Sequence, residues 1–385
     1  MKVVLSTIGT FHTFDLAREL HARGALQVIF TGYPRFKLQA ARLPVTLIRN
    51  FPWMHTPYLA LSRMRVLSRT ISRECEYFDN ITFDRHVSRN MPDCEIFVGL
   101  SGSALRSGRV AHARGAKYVC DRACTHIRTQ HRLVTEEYER WGSNEKGVDP
   151  RVIALEESEY AEADRITVPS TFSVKSFIDQ GVPPSKLRRL SYGVDLTLFH
   201  RVSTPPADKF DILFVGGMSF RKGVPYLLQA YKRLEHSNKS ITFVGVSDPS
   251  LIKIMKNNDL WPSDARVIGH VPQRELKEIM SRSHVMVLPS IEEGLAMVQA
   301  QAMACGCPVI ASMHTGAPDI FDDGIEGFIV PIRQADAIAE RLQKLADDPT
   351  LGSRMGEAGM SRLKLLGGWR AYGDEAIRTY KELIE

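Results

Sequence analysis

The 385-residue chain has only six cysteines, and no two of them form a Cys-x-x-Cys pair. Paired-ligand zinc sites are therefore not expected. The opening "MKVVLSTIG" has too short an apolar run for a secretory signal and reads as a first strand. Disulfides are accordingly not expected, and the thiols read as buried side chains. No stretch approaches the roughly 20 consecutive apolar residues of a membrane span. Together these absences make a cytoplasmic location the expectation. Also absent are repeats with a period of about 20–50 residues and low-complexity tracts. Acidic residues are missing from one long stretch: between Arg35 and Arg73 stand eight Arg or Lys and no Asp or Glu. Phe36, Phe51, Trp53 and Tyr58 are interleaved there, a mixture suited to an acidic ligand or an anionic membrane surface. No nucleic-acid-binding motif accompanies the charge, so nucleic acid is not an expected partner.

What is present reads as an α/β protein. A hydrophobic content of 44% with 24% charged residues is ordinary for a globular chain, and the length suits two domains. Apolar runs alternate with amphipathic segments: "KVVLST" then "FDLARELHARG", "EIFVGL" then "ALRSGRVAHARG", "RITVPS" then "FSVKSFIDQG". That alternation predicts a parallel sheet with helices on both faces. It breaks into turn and Pro residues at "YGVDLTLFHRVSTPPADKF", which places a linker near 193–209. A second series then runs from "DILFVGG" through "HVMVLPS" to "PVIAS", and the chain closes on an amphipathic helix after Gly367 and Gly368. Two doubly wound domains are expected, with ligands bound beyond the carboxyl ends of the strands.

Two segments carry chemistry. "FVGGMSFRKG", Phe214 to Gly223, places two glycines directly after a strand and a basic pair before the next helix. It is neither G-x-G-x-x-G nor a P-loop, yet exposed amides with Arg221 and Lys222 make an anion site. In "EEGLAMVQAQAMACGCPVIAS", Gly306 and Pro308 stop a helix predicted over about Ala296 to Cys305, and its alanines permit close packing on a sheet.

These segments, in this order, resemble the retaining GT-B glycosyltransferases of family 4. "FVGGMSFRKGVPYLLQAYKRL" is similar to the family's phosphate-binding helix entry, and "EGLAMVQAQAMACGCPVIAS" to its E-x7-E segment. "YGVDLTLF" resembles the Gly-Val-Asp linker and "TGAPDIFDDGIEGFIV" the segment closing the donor pocket. The resemblance implies two Rossmann-like domains facing across a cleft: 1–195 for the acceptor and 196–365 for the nucleotide sugar. Residues 366–385 are expected to form a helix returning to the N-terminal domain.

Two positions depart from the family pattern. The Arg of its Gly-Arg pair is Gly217 here, and the second carboxylate of E-x7-E is Gln301. By resemblance, Gly9, Gly216, Gly217, Arg221 and Lys222 bind the donor, with Lys222 at the diphosphate. Glu293 accepts hydrogen bonds from sugar hydroxyls, the amides of Gly294, Leu295 and Ala296 face phosphate, and Gln301 meets the ribose. Glu292 reads as an exposed, solvated neighbour. In the N-terminal domain, Thr10 and His12 are candidate acceptor contacts. His126, chosen over His131 for its nearness to a strand end, takes the place of the active-site His.

The implied reaction moves a hexose-type sugar from a UDP- or GDP-sugar to an acceptor hydroxyl with retention. No metal or other cofactor is required, since Asp-x-Asp is missing and Lys222 with helix ends supplies positive field. The acceptor is a glycan, a lipid-linked molecule or a small molecule. The basic stretch 35–73 adds an expected peripheral contact with the inner face of an anionic membrane. The rival readings are a catalytically inactive sugar-nucleotide binder, motivated by Gly217 and Gln301, and a sugar-nucleotide epimerase of similar shape.

Overall fold

Two parallel sheets, each built from buried apolar strands, organise the chain in a computed structural model that describes residues 1–38, 42–63 and 69–385. Only the backbone is described for residues 62, 63 and 69. The N-terminal sheet has seven strands in the order β3-β2-β1-β4-β5-β6-β7. They are β1 (Val3–Thr7), β2 (Leu26–Thr31), β3 (Ile48–Asn50), β4 (Ile96–Leu100), β5 (Lys117–Asp121), β6 (Arg165–Val168) and β7 (Leu187–Arg189). β1 and β4 are buried along their whole length, which is why they read as unbroken apolar runs rather than alternating ones. Around this sheet lie α1 (Thr13–Ala22), α2 (Pro52–Arg63), α3 (Arg69–Asn90), α4 (Leu105–Ala113), α5 (Ile127–Arg140), α6 (Pro150–Glu162) and α7 (Thr171–Ile178).

The second sheet has six strands in the order β10-β9-β8-β11-β12-β13. They are β8 (Phe210–Val215), β9 (Lys239–Val244), β10 (Arg266–Gly269), β11 (Val285–Leu288), β12 (Val309–Ser312) and β13 (Gly327–Val330). Its helices are α8 (Val224–Arg233), α9 (Pro249–Asn257), α10 (Gln273–Arg282), α11 (Met297–Ala304), α12 (Ala335–Asp347) and α13 (Pro349–Leu365). α11 ends where expected: Gly306 takes φ +72°, a left-handed turn that a side chain would resist, and Pro308 follows.

Strand order reverses between β1 and β4 in the first sheet and between β8 and β11 in the second. Loops leaving the carboxyl ends of strands at such reversals open a crevice, because the following helices lie on opposite faces. The glycine loop after β1, the Gly216–Gly223 loop after β8 and the Ser290–Ala296 loop after β11 all occupy these positions.

The chain passes between the domains twice. After α13, the last helix, α14 (Gly368–Ile384), returns to the first domain and buries Tyr372, Ala376 and Tyr380 with Val3, Leu5, Phe14 and Leu16. Arg23–Asp374 at 2.6 Å and Arg188–Glu382 at 3.0 Å flank this contact. The outgoing and returning passages touch backbone to backbone: a Cβ on Gly193 would collide with the main chain of Gly368 and Trp369.

Candidate active site at the domain seam

The loop after β8 is shaped from within. Gly216 donates its amide to Val244 O at 2.8 Å, Phe220 is buried beneath the turn, and Lys222 N donates to Ser219 Oγ at 3.2 Å. The Arg221 carbonyl accepts the Ile291 amide at 2.8 Å, tying this loop to the one after β11. Four charges consequently converge. Arg221 Nη1 lies 3.2 Å from Glu292 Oε2 and 3.7 Å from Glu293 Oε2, and Lys222 Nζ is ion-paired with Glu293.

Burial opposes the charged form of Glu293, yet Lys222 and Arg221 outweigh it and hold the carboxyl below its ordinary pKa. Burial likewise opposes the charge on Arg221, and the two carboxylates more than compensate. The cluster is neutral as a set, two cations against two anions.

Glu292 departs from the expectation of a solvated charge. It is fully buried, and its Oε1 accepts from the Thr125 amide at 3.1 Å and Thr125 Oγ1 at 2.7 Å, across the seam. A buried carboxyl group is costly without hydrogen-bond donors, and its location between the domains supplies them. Gly294 is pressed against the same N-terminal loop: a Cβ there would run into the Ala123 carbonyl. Ala296 also differs, because its amide is spent on Thr315 O at 3.1 Å and is not available to a phosphate. Leu295, buried beside it, packs in the second domain's core.

Gly217 is exposed, and a Cβ on it would meet nothing within 4 Å. Gln301 is buried yet lines a cleft of about 740 Å³ between the domains. Asp15, Arg18 and Arg42 face it from the first domain, Gln273 and Met297 from the second. The neighbouring amide has another job: Gln299 Nε2 donates to Thr315 O at 2.9 Å and its Oε1 accepts from Thr315 Oγ1 at 3.1 Å, bracing the helix start.

The histidines fall elsewhere than expected. His126, next to the Thr125 that bonds Glu292, is held by partners of its own domain. It caps α5, accepting Arg128 N on Nδ1 at 3.2 Å, and lies 3% exposed between Tyr160 and Phe177. Burial in this box pushes its pKa down to about 4, with Glu157 opposing and Arg122 and Arg128 reinforcing the shift. The cause is local: a residue in the N-cap position turns its side chain back onto its own helix. His12 is buried too, its Nε2 2.7 Å from Asp121 Oδ2 and its ring stacked on Tyr192 at 4.2 Å, beside the crossing of the two passages. Thr10 is exposed and Gly9 buried, with Gly9 O accepting from Thr31 Oγ1 at 3.2 Å.

Sequence reasoning missed the rest of the seam. Glu137 of α5, fully buried, accepts from Tyr226 OH at 2.8 Å and Arg333 Nε at 2.5 Å, while Arg333 Nη2 reaches Glu136 at 2.8 Å. Asp319 accepts from the Thr171 amide at 2.8 Å and is ion-paired with Arg189. Arg122, which the sequence left unassigned, holds Glu156 at 2.9 Å. Among the described residues no group of three or more His, Cys, Asp or Glu is arranged to hold a metal ion. None of the described helices is long and apolar enough to cross a membrane.

Two doubly wound domains meeting at a cleft, with strand-end loops facing across it, make the GT-B fold. The model for Glycosyltransferase Family 4 matches residues 9–198 and that for Glycosyl transferases group 1 matches 197–362. The chain belongs to this glycosyltransferase family.

An alpha-maltose-1-phosphate synthase of Mycobacterium tuberculosis is 29% identical over 188 residues, 44% of this chain and 47% of the relative. The chain thus spans about half the length of that curated relative. A D-inositol 3-phosphate glycosyltransferase 1 of Catenulispora acidiphila is 26% identical over 300 residues, 72% of this chain and 71% of the relative. Among solved structures, sucrose-phosphate synthase from Thermosynechococcus elongatus has a TM-score of 0.73 at 20% identity, covering 100% of this chain and 99% of that one. The Anabaena protein HepE, solved in complex with UDP and glucose, also gives 0.73 at 14% identity, covering 99% of this chain and 100% of its own.

Proposed function

We propose that the protein transfers a hexose-type sugar from a nucleoside diphosphate donor, UDP- or GDP-linked, to an acceptor hydroxyl with retention at the anomeric carbon. The observation that carries this reading is the convergence of Arg221, Lys222 and Glu293 at the strand-order reversal of the second domain. Lys222 and Glu293 are committed to each other, so a diphosphate competes with the carboxylate for the same ammonium. Taking Lys222 releases Glu293 oxygens to accept from sugar hydroxyls, one ion pair being exchanged for charge-assisted hydrogen bonds.

As the glycosidic bond breaks, negative charge grows on the leaving phosphate. Lys222 stabilises that charge more in the transition state than in the bound donor. The departing phosphate oxygen is then placed to take the acceptor proton, and no protein nucleophile is assigned. Gln301, lining the cleft, offers an amide oxygen to the ribose hydroxyls. The HepE complex with UDP and glucose, in a chain of the same fold, supports a uridine nucleotide as the first donor to try.

A panel of UDP-, GDP- and ADP-sugars tests this, with glycan, lipid-extract and small-molecule acceptors. Release of nucleoside diphosphate and the anomeric configuration of the product, read by NMR, are the measurements. Inversion would sink the retaining course. Tight nucleotide binding without turnover under every condition would favour the inactive-binder reading, for which the open Gly217 position is the specific observation.

A further inference from the structure

Helix α2 faces the wrong way for a surface helix. Among its described side chains, 52–61, the exposed ones are Trp53, Met54, Pro57, Ala60 and Leu61, all apolar. At about 100° per residue these positions share one arc of roughly 120°. Trp53 is 77% exposed, Met54 43% and Leu61 40%. Ordinary amphipathic helices turn such an arc inward. α2 is fixed in this orientation by its inner face, where buried His55 Nδ1 lies 2.7 Å from the buried Asp79 Oδ2 of α3. Rolling the apolar arc inward would break that pair.

The approach to the helix continues the pattern. Phe36 is 68% exposed and Val45 62%. Three of the cations nearby are matched to neutral groups: Arg35 donates to Asn50 Oδ1 at 3.3 Å, Arg49 to the Asn90 carbonyl at 2.6 Å, and Lys37 sits over the Tyr33 and Phe36 rings, whereas Arg42 faces the cleft with Asp15 and Asp195. No carboxylate occurs anywhere from Arg35 to Arg73. Part of that run, 39–41 and 64–68, lies outside the described residues.

We propose that this face docks on an anionic lipid bilayer, with α2 lying in the interface plane and Trp53, Met54 and Leu61 entering the boundary between headgroups and acyl chains. Charge complementarity selects lipid as the occupant. An in-plane helix is held by its buried apolar area together with attraction of flanking cations to acidic headgroups, and tryptophan favours that depth. The proposal does not depend on the sugar-transfer reading, since binding is measured without turnover.

The test uses the full chain with phosphatidylcholine vesicles, alone or with roughly a third phosphatidylglycerol. Co-sedimentation is expected only with the acidic vesicles. It should weaken between about 10 mM and 150 mM salt, as the screening length shrinks from roughly 30 Å to 8 Å. Trp53→Glu combined with Leu61→Glu should reduce binding by roughly tenfold or more at an unchanged melting temperature. No sedimentation with acidic vesicles at low salt overturns the proposal, and so does a double variant that binds as the wild type does. A lipid-free dimer that the same double variant dissociates assigns the face to a second copy of the chain and equally overturns lipid docking.

Discussion

Arg221 and Lys222 are neighbours in sequence, but the structure assigns them different work, and truncating each to alanine separates the two. Arg221 holds the buried Glu292 through hydrogen bonds of 3.1 Å to its carbonyl and 3.2 Å to Oε2. Among the described residues, Arg221→Ala leaves that carboxylate with the two donors of Thr125. Removing one partner of a buried pair costs about 3–5 kcal/mol. For a domain of this size, each kcal/mol is worth about 2–4 °C, so melting should fall by roughly 6–20 °C.

Lys222 is less exposed than Arg221, 16% against 29%, but its partner Glu293 keeps Arg221 at 3.7 Å and Ser290 Oγ at 3.4 Å when Lys222 is removed. Lys222→Ala should therefore cost less stability than Arg221→Ala, because Glu293 retains two partners, while a charged contact of about 1.5–3 kcal/mol lost at the phosphate lowers kcat/KM roughly tenfold to a hundredfold. Differential scanning fluorimetry and steady-state nucleotide release, run on both variants, are the assays. Adding Glu292→Gln to Arg221→Ala should recover a large part of the lost melting temperature, because an amide tolerates burial that an unpaired carboxylate does not. An Arg221→Ala protein that melts with the wild type refutes the account of Glu292, and equal activity losses refute the division of roles.

Gly217→Arg restores a cation at an open position, and calorimetry should show nucleoside diphosphate bound roughly tenfold tighter. A clash or unchanged affinity would mean the position does not face the phosphates. Gln301→Ala should weaken the same binding by roughly threefold to tenfold, the worth of one neutral hydrogen bond, with Gln301→Glu close to wild type. For His126, the folded pKa of about 4 lies below its ordinary value of 6.5. The unfolded chain therefore takes up the proton first as pH falls. Stability contributed by the neutral ring is complete above about 6.5 and drains away down to about 4. Urea midpoints across that range should fall less steeply for His126→Gln than for the wild type.

Most of what was legible in the sequence comes from local periodicity. Runs such as Val3–Thr7 and Val285–Leu288 are strands because both faces are covered, and Gly306 with Pro308 marks the end of α11 without tertiary information. Lys222 and Glu293 lie on separate loops yet could be paired by motif, since each occupies a fixed offset from a strand end. The contacts across the seam had no such signal. Glu292 looks like any acidic residue in a loop, and only the approach of Thr125, 167 positions away, buries it. Glu137 likewise sits on a helix whose spacing says nothing about Tyr226 or Arg333. His126 misled because nearness to a strand end says where a loop begins, not whether the side chain turns outward or caps the next helix.

The contact of Gly193 with Gly368 and Trp369 has a mechanical consequence. Both covalent links between the domains run through one place, so they act as a single pivot rather than as two separated tethers. Asp319, paired with Arg189, lines the same cavity as Gly193 and Gly368 and so sits beside the crossing, while Glu137 and Glu292 make other contacts between the domains. A rotation about the crossing strains the contacts in proportion to their distance from it, so Asp319 should hold longest. A side chain at residue 193 would wedge the two passages apart at the joint itself, where only a glycine lets them meet.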